Sequence, residues 1–182
     1  MKRLFLLLGI VALVTTSSCE GPQGFDGAPG PQGPAGSGTE SEVFELQNVN
    51  FSYDATNGYN IYQTLNPNIL ASDNILIYRM SGTIDASTPI WQSIPRTLFL
   101  TQGELDYDFD FSKEDFTIYA GGTYDLATTP SYIQNQTFRI VIIPGYFSNR
   151  SANATVPQVD LTNYNEVIAA YHIDDSNVKR IN

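Results

Sequence analysis

Beyond residue 41 the apolar positions fall into short runs rich in Ile, Val, Thr, Tyr and Phe, interrupted every eight to twelve residues by Gly, Pro, Asn or Asp. Runs of that length and composition bury one face of a pleated strand, and the interruptions supply turns. The pattern predicts strands over 43–53, 59–65, 74–81, 96–101, 104–111, 116–120 and 137–144. Asn57-Gly58 offers the positive φ that a tight hairpin between the first two needs. In 104–111, Leu105, Tyr107, Phe109 and Phe111 alternate with Asp106, Asp108 and Asp110, which predicts one buried and one acidic face. Phe138-Arg139-Ile140-Val141-Ile142-Ile143 is more continuously apolar, as a central strand covered on both faces would be, and is the best core candidate.

Toward the C-terminus the period changes. Tyr164, Val167, Ile168 and Tyr171 stand at i, i+3, i+4 and i+7, while Asn163 and Glu166 have the spacing of an N-cap and its partner. A short helix over 164–171 follows, broken at Asp174-Asp175, with 178–181 returning as a last strand. The expected fold is all-β: a single antiparallel sandwich, Ig-like or jelly-roll-like, with one short C-terminal helix.

The first forty residues follow other rules. Lys2 and Arg3 precede eleven apolar residues, 4–14, and a small polar stretch ending at Cys19. Charge, apolar run and small residues in that order make a signal peptide, 1–18, and the run is too short for the roughly 20 residues of a spanning helix. From there Gly21, Gly24, Gly27, Gly30, Gly33 and Gly36 recur at every third position. That is a collagen-like period, because three wound polyproline-type chains leave room only for hydrogen at their axis. Five full triplets offer few interchain bonds against the ordering cost, so a triple helix and a single-chain spacer both stay open. Either lifts the domain about 50 Å, at about 3.1 Å per residue. The organisation is thus signal peptide 1–18, stalk 19–41 and β domain 42–182.

Composition narrows the function classes. The chain of 182 residues, 42% hydrophobic and 15% charged, supports one core. Nineteen acidic against nine basic residues give a net charge of −10, which repels phosphate backbones and argues against a nucleic-acid partner. One Cys and one His exclude structural disulfides and Cys/His zinc sites.

Thr16-Ser17-Ser18-Cys19 resembles the lipobox of a bacterial lipoprotein, without the Leu often found three positions before the Cys. The resemblance implies that Cys19 becomes the acylated first residue, anchoring the chain in the outer membrane by its acyl chains. Glu20 is a single acidic residue where surface-exported relatives carry a short cluster; the stalk tips the expectation toward the cell surface. The Cys19 junction with its Gly triplets, 90–95, the 103–111 strand with Ser112 and Asp115, 136–141 and 164–167 together resemble the collagen-like, lipid-anchored proteins of flavobacteria and their relatives (Bacteroidota). That resemblance covers nearly the whole chain and implies architecture and localisation, with no established activity.

The chemical candidates are few. Asp106, Asp108 and Asp110 read as a Ca²⁺ set, but same-face residues of a strand are about 6.6 Å apart, so three carboxylates span about 13 Å where Ca²⁺ takes oxygens at about 2.4 Å. The competing reading is a solvated face balanced by Arg79 or Arg139. Asp174-Asp175 with Glu166 is a second acidic group. His172 could serve a Ser nucleophile with Asp174 orienting it, yet no Gly-x-Ser-x-Gly accompanies it. No Gly-x-Gly-x-x-Gly marks a dinucleotide site, and no cofactor is implied. Trp91, between Pro89 and Pro95 on a loop or edge, is the candidate for stacking on a sugar ring. Asn50, Asn135, Asn149 and Asn153 stand in Asn-x-Ser/Thr sequons that read as coincidences of an Asn-rich surface. The leading expectation is a non-enzymatic envelope protein displaying a β-sandwich for adhesion, packing or ligand capture, with a glycan or envelope protein as partner. Its rival is a carbohydrate-binding or small carbohydrate-active module, which needs exposed aromatics beside two close carboxylates. A third reading is a structural homotrimer registered by its stalk.

Overall fold

A computed structural model of the chain describes residues 41–145 and 159–181. Its strands are β1 (Glu42–Val49), β2 (Ser52–Asp54), β3 (Gly58–Thr64), β4 (Asn74–Asp85), β5 (Thr88–Ile94), β6 (Arg96–Leu100), β7 (Gly103–Phe111), β8 (Asp115–Gly122), β9 (Gln136–Ile143) and β10 (Lys179–Ile181), with helix α1 (Tyr164–Tyr171) before the last. They form two five-stranded sheets, β10-β1-β9-β4-β5 and β2-β3-β8-β7-β6. The domain is a mostly β two-layer sandwich with one helix. Cys19, the glycines Gly21 to Gly36 and the sequons at Asn149 and Asn153 lie outside the described residues.

The strand expected over 43–53 is two strands in different sheets. Asn48 takes φ 55 and the pairing of β1 with β9 shifts register between Leu46 and Val49, so the chain leaves the first sheet and re-enters as β2 in the second. A left-handed residue at a bulge bends a strand out of its ladder. The hairpin β2–β3 closes over 55–57, with Gly58 at φ 70 and the Asp54 carboxylate accepting the N–H groups of Thr56 and Asn57. The sequence pattern sets no strand bounds over 88–94, where Trp91 is expected on a loop or edge; the structure makes this segment an edge strand, β5, on which Pro89 is tolerated. At Pro95 the chain passes from that edge to β6, an edge of the second sheet. The sandwich is also not antiparallel throughout, since β10 runs parallel to β1.

β9 is the centre of the first sheet and is buried along nearly its whole length. Phe138, Ile140 and Ile142 face inward and join Phe44, Leu46, Ile77, Leu105, Phe116 and Ile118 in the core between the sheets. The Phe138 ring meets Phe51 edge-on at 5.9 Å and Tyr107 at 6.4 Å. Val141 and Ile143 face outward into a second cluster with Val43, Tyr78, Tyr164 and Val167, under α1. The helix keeps its sequence-derived bounds. Asn163 caps it, its side-chain oxygen accepting from the N–H of Asn165 and Glu166 while its amide donates to Glu166. His172 ends it at φ 54, and the Tyr78 hydroxyl donates to the Leu161 carbonyl at 2.7 Å, pinning the segment that leads into the helix.

Expected alternation in β7 holds at one end only. Leu105 and Tyr107 are buried, while Phe111 is 40% exposed where the strand runs past the core. Arg79 does not balance the aspartates. It faces the core from β4, its guanidinium over the rings of Tyr107 at 4.8 Å and Tyr132 at 5.8 Å, with Nε donating to Gln136 at 2.8 Å.

Two outcomes follow. Phe138→Ala, at a fully buried ring, lowers unfolding free energy by about 3–5 kcal/mol in urea titrations, whereas Phe99→Ala, at a ring 80% exposed, stays within about 0.5 kcal/mol. Burial pushes the Tyr107 hydroxyl from 10.0 up to about 12 and raises Tyr78 and Tyr164 further. A raised folded-state value favours folding fully below pH 10 and is lost as pH climbs from there toward 12, so tyrosinate absorbance of these rings rises together with loss of the β signal in circular dichroism.

Candidate functional site

Register builds a row of outward side chains across the first sheet. Arg180 stands beside Glu45, Glu45 beside Arg139, Arg139 beside Tyr78 and Tyr78 beside Ser93. Glu45, flanked by Phe44 and Leu46, and Arg139, the one charge of β9, are each almost covered, with side chains 7% and 12% exposed. Charges so buried persist only when paired. Arg139 donates from Nε to Glu45 Oε1 at 3.0 Å and from Nη2 to the same oxygen, which charge assistance makes the strongest bond of the row.

The rest of the cluster is arranged around that guanidinium. Its Nη1 donates to the Tyr164 hydroxyl at 2.6 Å, and that hydroxyl donates to Asp175 at 2.7 Å, 3.5 Å from Nη1. Burial pushes the Tyr164 hydroxyl up, with the bond to Asp175 adding to it and Arg139 opposing it, so it remains a neutral donor. The flat face of the guanidinium lies over Trp91, 4.3 Å from the ring centroid. Trp91 also packs against Tyr164 at 6.1 Å. Glu45's other oxygen accepts from the Gln47 amide at 2.6 Å, with Arg180 Nε at 4.0 Å.

The helix covers only part of this face, and where it stops a groove of about 450 Å³ opens. Glu45, Arg139, Arg180 and Gln47 stand along it, Trp91 and Met80 line it from β5 and β4, and the protruding β4–β5 hairpin contributes Thr83, Ser87 and Pro89. The hairpin tip is tied by Asp85, which accepts from the Ser87 N–H and from the hydroxyls of Ser87 and Thr88; these bonds hold its carboxyl below the usual range. A mixed lining of indole, amide, hydroxyl and guanidinium orients a small polar ligand. Among the described residues of its lining Glu45 is the one carboxylate, and both of its oxygens are engaged by cationic or amide donors.

Trp91 is therefore on the edge strand and in the groove, half-buried. Its neighbours Glu45, Gln47, Arg139 and Arg180 were not singled out as site residues from the sequence, and β-pairing across the sheet is what brings them together. The lone Glu in Val43-Phe44-Glu45-Leu46 and the lone Arg in β9 were the available signal, since opposite charges in two apolar strands imply a cross-strand pair.

The other candidates are kept apart. Asp106, Asp108 and Asp110 occupy three successive rungs of the outer face of the second sheet, opposite Gly121, Tyr119 and Thr117. Asp110 accepts from the Tyr119 hydroxyl at 2.9 Å and Asp108 from the N–H of Phe109, and neither Arg79 nor Arg139 balances them, because both belong to the first sheet and hold other partners. Among the described residues no three His, Cys, Asp or Glu side chains are placed to hold a metal ion. Glu166 caps the start of α1 while Asp174, beyond its end, accepts from the Ser176 side chain and N–H, and these bonds hold its carboxyl below the usual range. His172 is exposed at the helix end. Asn50 accepts from the Asn135 N–H at 2.8 Å, so these two sequon residues share one local bond.

Because Glu45 closes the row, Glu45→Gln costs about 3 kcal/mol in urea unfolding by leaving Arg139 without its buried counter-ion, whereas Arg180→Gln changes stability by less than about 0.5 kcal/mol. The same Glu45 variant shifts the emission of Trp91, the only Trp of the chain, as its stacked guanidinium is released. Set against known proteins, the chain matches no family model, no curated sequence and no solved structure.

Proposed function

We propose that the chain is a lipid-anchored outer-membrane protein of the collagen-like flavobacterial type, which displays a non-enzymatic β-sandwich on a Gly-triplet stalk at the cell surface as a ligand-binding head. The observation that carries this reading is the order of parts: an apolar leader, the single Cys, six glycines at a strict period of three, and then a folded domain with a recognition groove. Acyl chains on Cys19 give lasting attachment, because each buried methylene contributes about 0.8 kcal/mol. The finer assignment of the head to an Ig-like or jelly-roll-like class belongs to the same proposal.

The groove also favours the narrower reading of the head as a carbohydrate-binding module. An indole beside hydroxyl and amide side chains provides both the apolar surface and the hydrogen-bond partners that a pyranose presents. The carbohydrate-active variant needs a second, unengaged carboxylate there, and the described residues of the lining supply none.

Metabolic labelling of cells expressing the full chain with an alkyne fatty acid puts label on the protein, and Cys19→Ala abolishes the label and releases the chain from the membrane fraction. Externally added protease removes the head from intact cells. Label that survives Cys19→Ala overturns the anchor, and a head protected until the outer membrane is breached overturns surface display. Sedimentation of residues 20–182 then distinguishes a homotrimer from a monomer on a single-chain spacer.

A further inference from the structure

We propose that the groove beside Trp91 binds an acidic saccharide of the uronic-acid class, with Arg180 reading the sugar carboxylate and Trp91 its ring. The inference rests on the reading of the head as a ligand-binding module and adds the chemistry of the ligand.

Three observations converge. Arg180 is 70% exposed on the groove wall, and among the described residues its one ionic contact is Nε to Glu45 at 4.0 Å, the outer limit of an ion pair. Both close bonds to Glu45 Oε1 come from Arg139, so among the described lining residues Arg180 is the guanidinium whose donors face the open groove. Asp175 binds the other end of the Arg139 guanidinium and does not line the groove. A planar guanidinium matches a carboxylate by two parallel bonds, a geometry that an ammonium cannot reproduce.

Trp91 supplies the second half of the recognition. Its indole is held in place by the Arg139 guanidinium on its face and by Tyr164, so little ordering remains for a ligand to impose. A pyranose ring has an apolar face of C–H groups that stacks on such a surface, and its hydroxyls meet the polar side chains of Gln47, Thr137 and Ser87 around the groove. A neutral sugar leaves Arg180 unused, and a bare anion leaves Trp91 unused. A uronic acid engages both. Arg139, with its donors committed to Glu45 and Tyr164, acts as a positioning residue for the indole.

The single Trp makes the test direct. The full chain in mild detergent is titrated with tetragalacturonate, its methyl ester, maltotetraose and inorganic phosphate while Trp91 emission is followed. Saturable change is expected with tetragalacturonate and at least about tenfold weaker with its methyl ester, the loss expected of one charge-assisted contact. Arg180→Gln weakens tetragalacturonate by about the same factor and leaves the methyl ester unaffected. Its thermal unfolding matches that of the natural chain, which separates lost recognition from lost folding. Trp91→Phe, followed by calorimetry, weakens both sugars. Equal binding of acid and ester, unchanged by Arg180→Gln, overturns the acidic class while keeping the carbohydrate reading. Phosphate binding as tightly as tetragalacturonate makes the groove an anion site and overturns the saccharide. Silence of all four probes overturns the proposal, whereas the anchor is decided separately by the fate of Cys19→Ala.

Discussion

The pairing of Glu45 with Arg139 on the outer face of the first sheet is the constraint on which the rest of this domain turns. β9 lies at the centre of that sheet, and its alternating residues demand cover on both sides. The second sheet covers the inner side. On the outer side α1 has eight residues, about 12 Å of helix, against about 26 Å of an eight-residue strand. It covers the end carrying Val141 and Ile143 and cannot reach the other. At the boundary the strand changes from Val to Arg, and the charge is balanced across one rung by Glu45. The pair is nearly covered by Tyr164 and Trp91 and borders the groove, so it stands where the apolar face under the helix gives way to polar side chains.

That boundary explains why the site has its particular members. Tyr164, the first residue of the helix, reaches Arg139 with its hydroxyl; Trp91, on the edge strand, accepts the guanidinium face. Both aromatics are thereby fixed by the same residue, and Asp175 ties the segment after the helix to it as well. Folding of the outer layer and shaping of the groove are consequently one event. Recognition groups held by buried partners need little rearrangement on binding, which is the arrangement expected of a binding surface and not of a carboxylate poised to exchange protons.

The sequence made the local parts legible. The helix at 164–171 followed from its period and cap, and β9 from an apolar run too continuous for a half-exposed strand. The break within 43–53 was not legible, because it depends on Asn48 adopting a left-handed conformation in a segment whose side chains still read as strand. β5 was obscured by Pro89, which an edge tolerates and a centre would not. The site was the least legible part. Trp91 stood out as the lone indole, but Glu45 and Arg139 are 94 residues apart and meet only through register. Alternation says which face a residue takes; it does not say which strand lies beside it. The expectation that Arg79 or Arg139 balances the aspartates of β7 fails for this reason, since β4 and β9 belong to the other sheet.

The same arrangement resolves how a chain of net charge −10 can present a cationic groove. The acidic residues of β7, with Asp115 and its bond from Tyr62, lie on the outer face of the second sheet, while Arg139 and Arg180 lie on the outer face of the first. Packed sheets are about 10 Å apart, and outward side chains on opposite faces are further apart still, beyond the Debye length of about 8 Å at physiological ionic strength. Through solvent, each face acts on its surroundings largely by its own charges. Net charge then governs the repulsion of distant polyanions, whereas the sign of the groove governs what binds once contact is made. The first sheet's outer side also carries Glu45, Asp85 and Asp175, so the sign of the groove is set locally, by Arg139 and Arg180 against the carboxylates beside them.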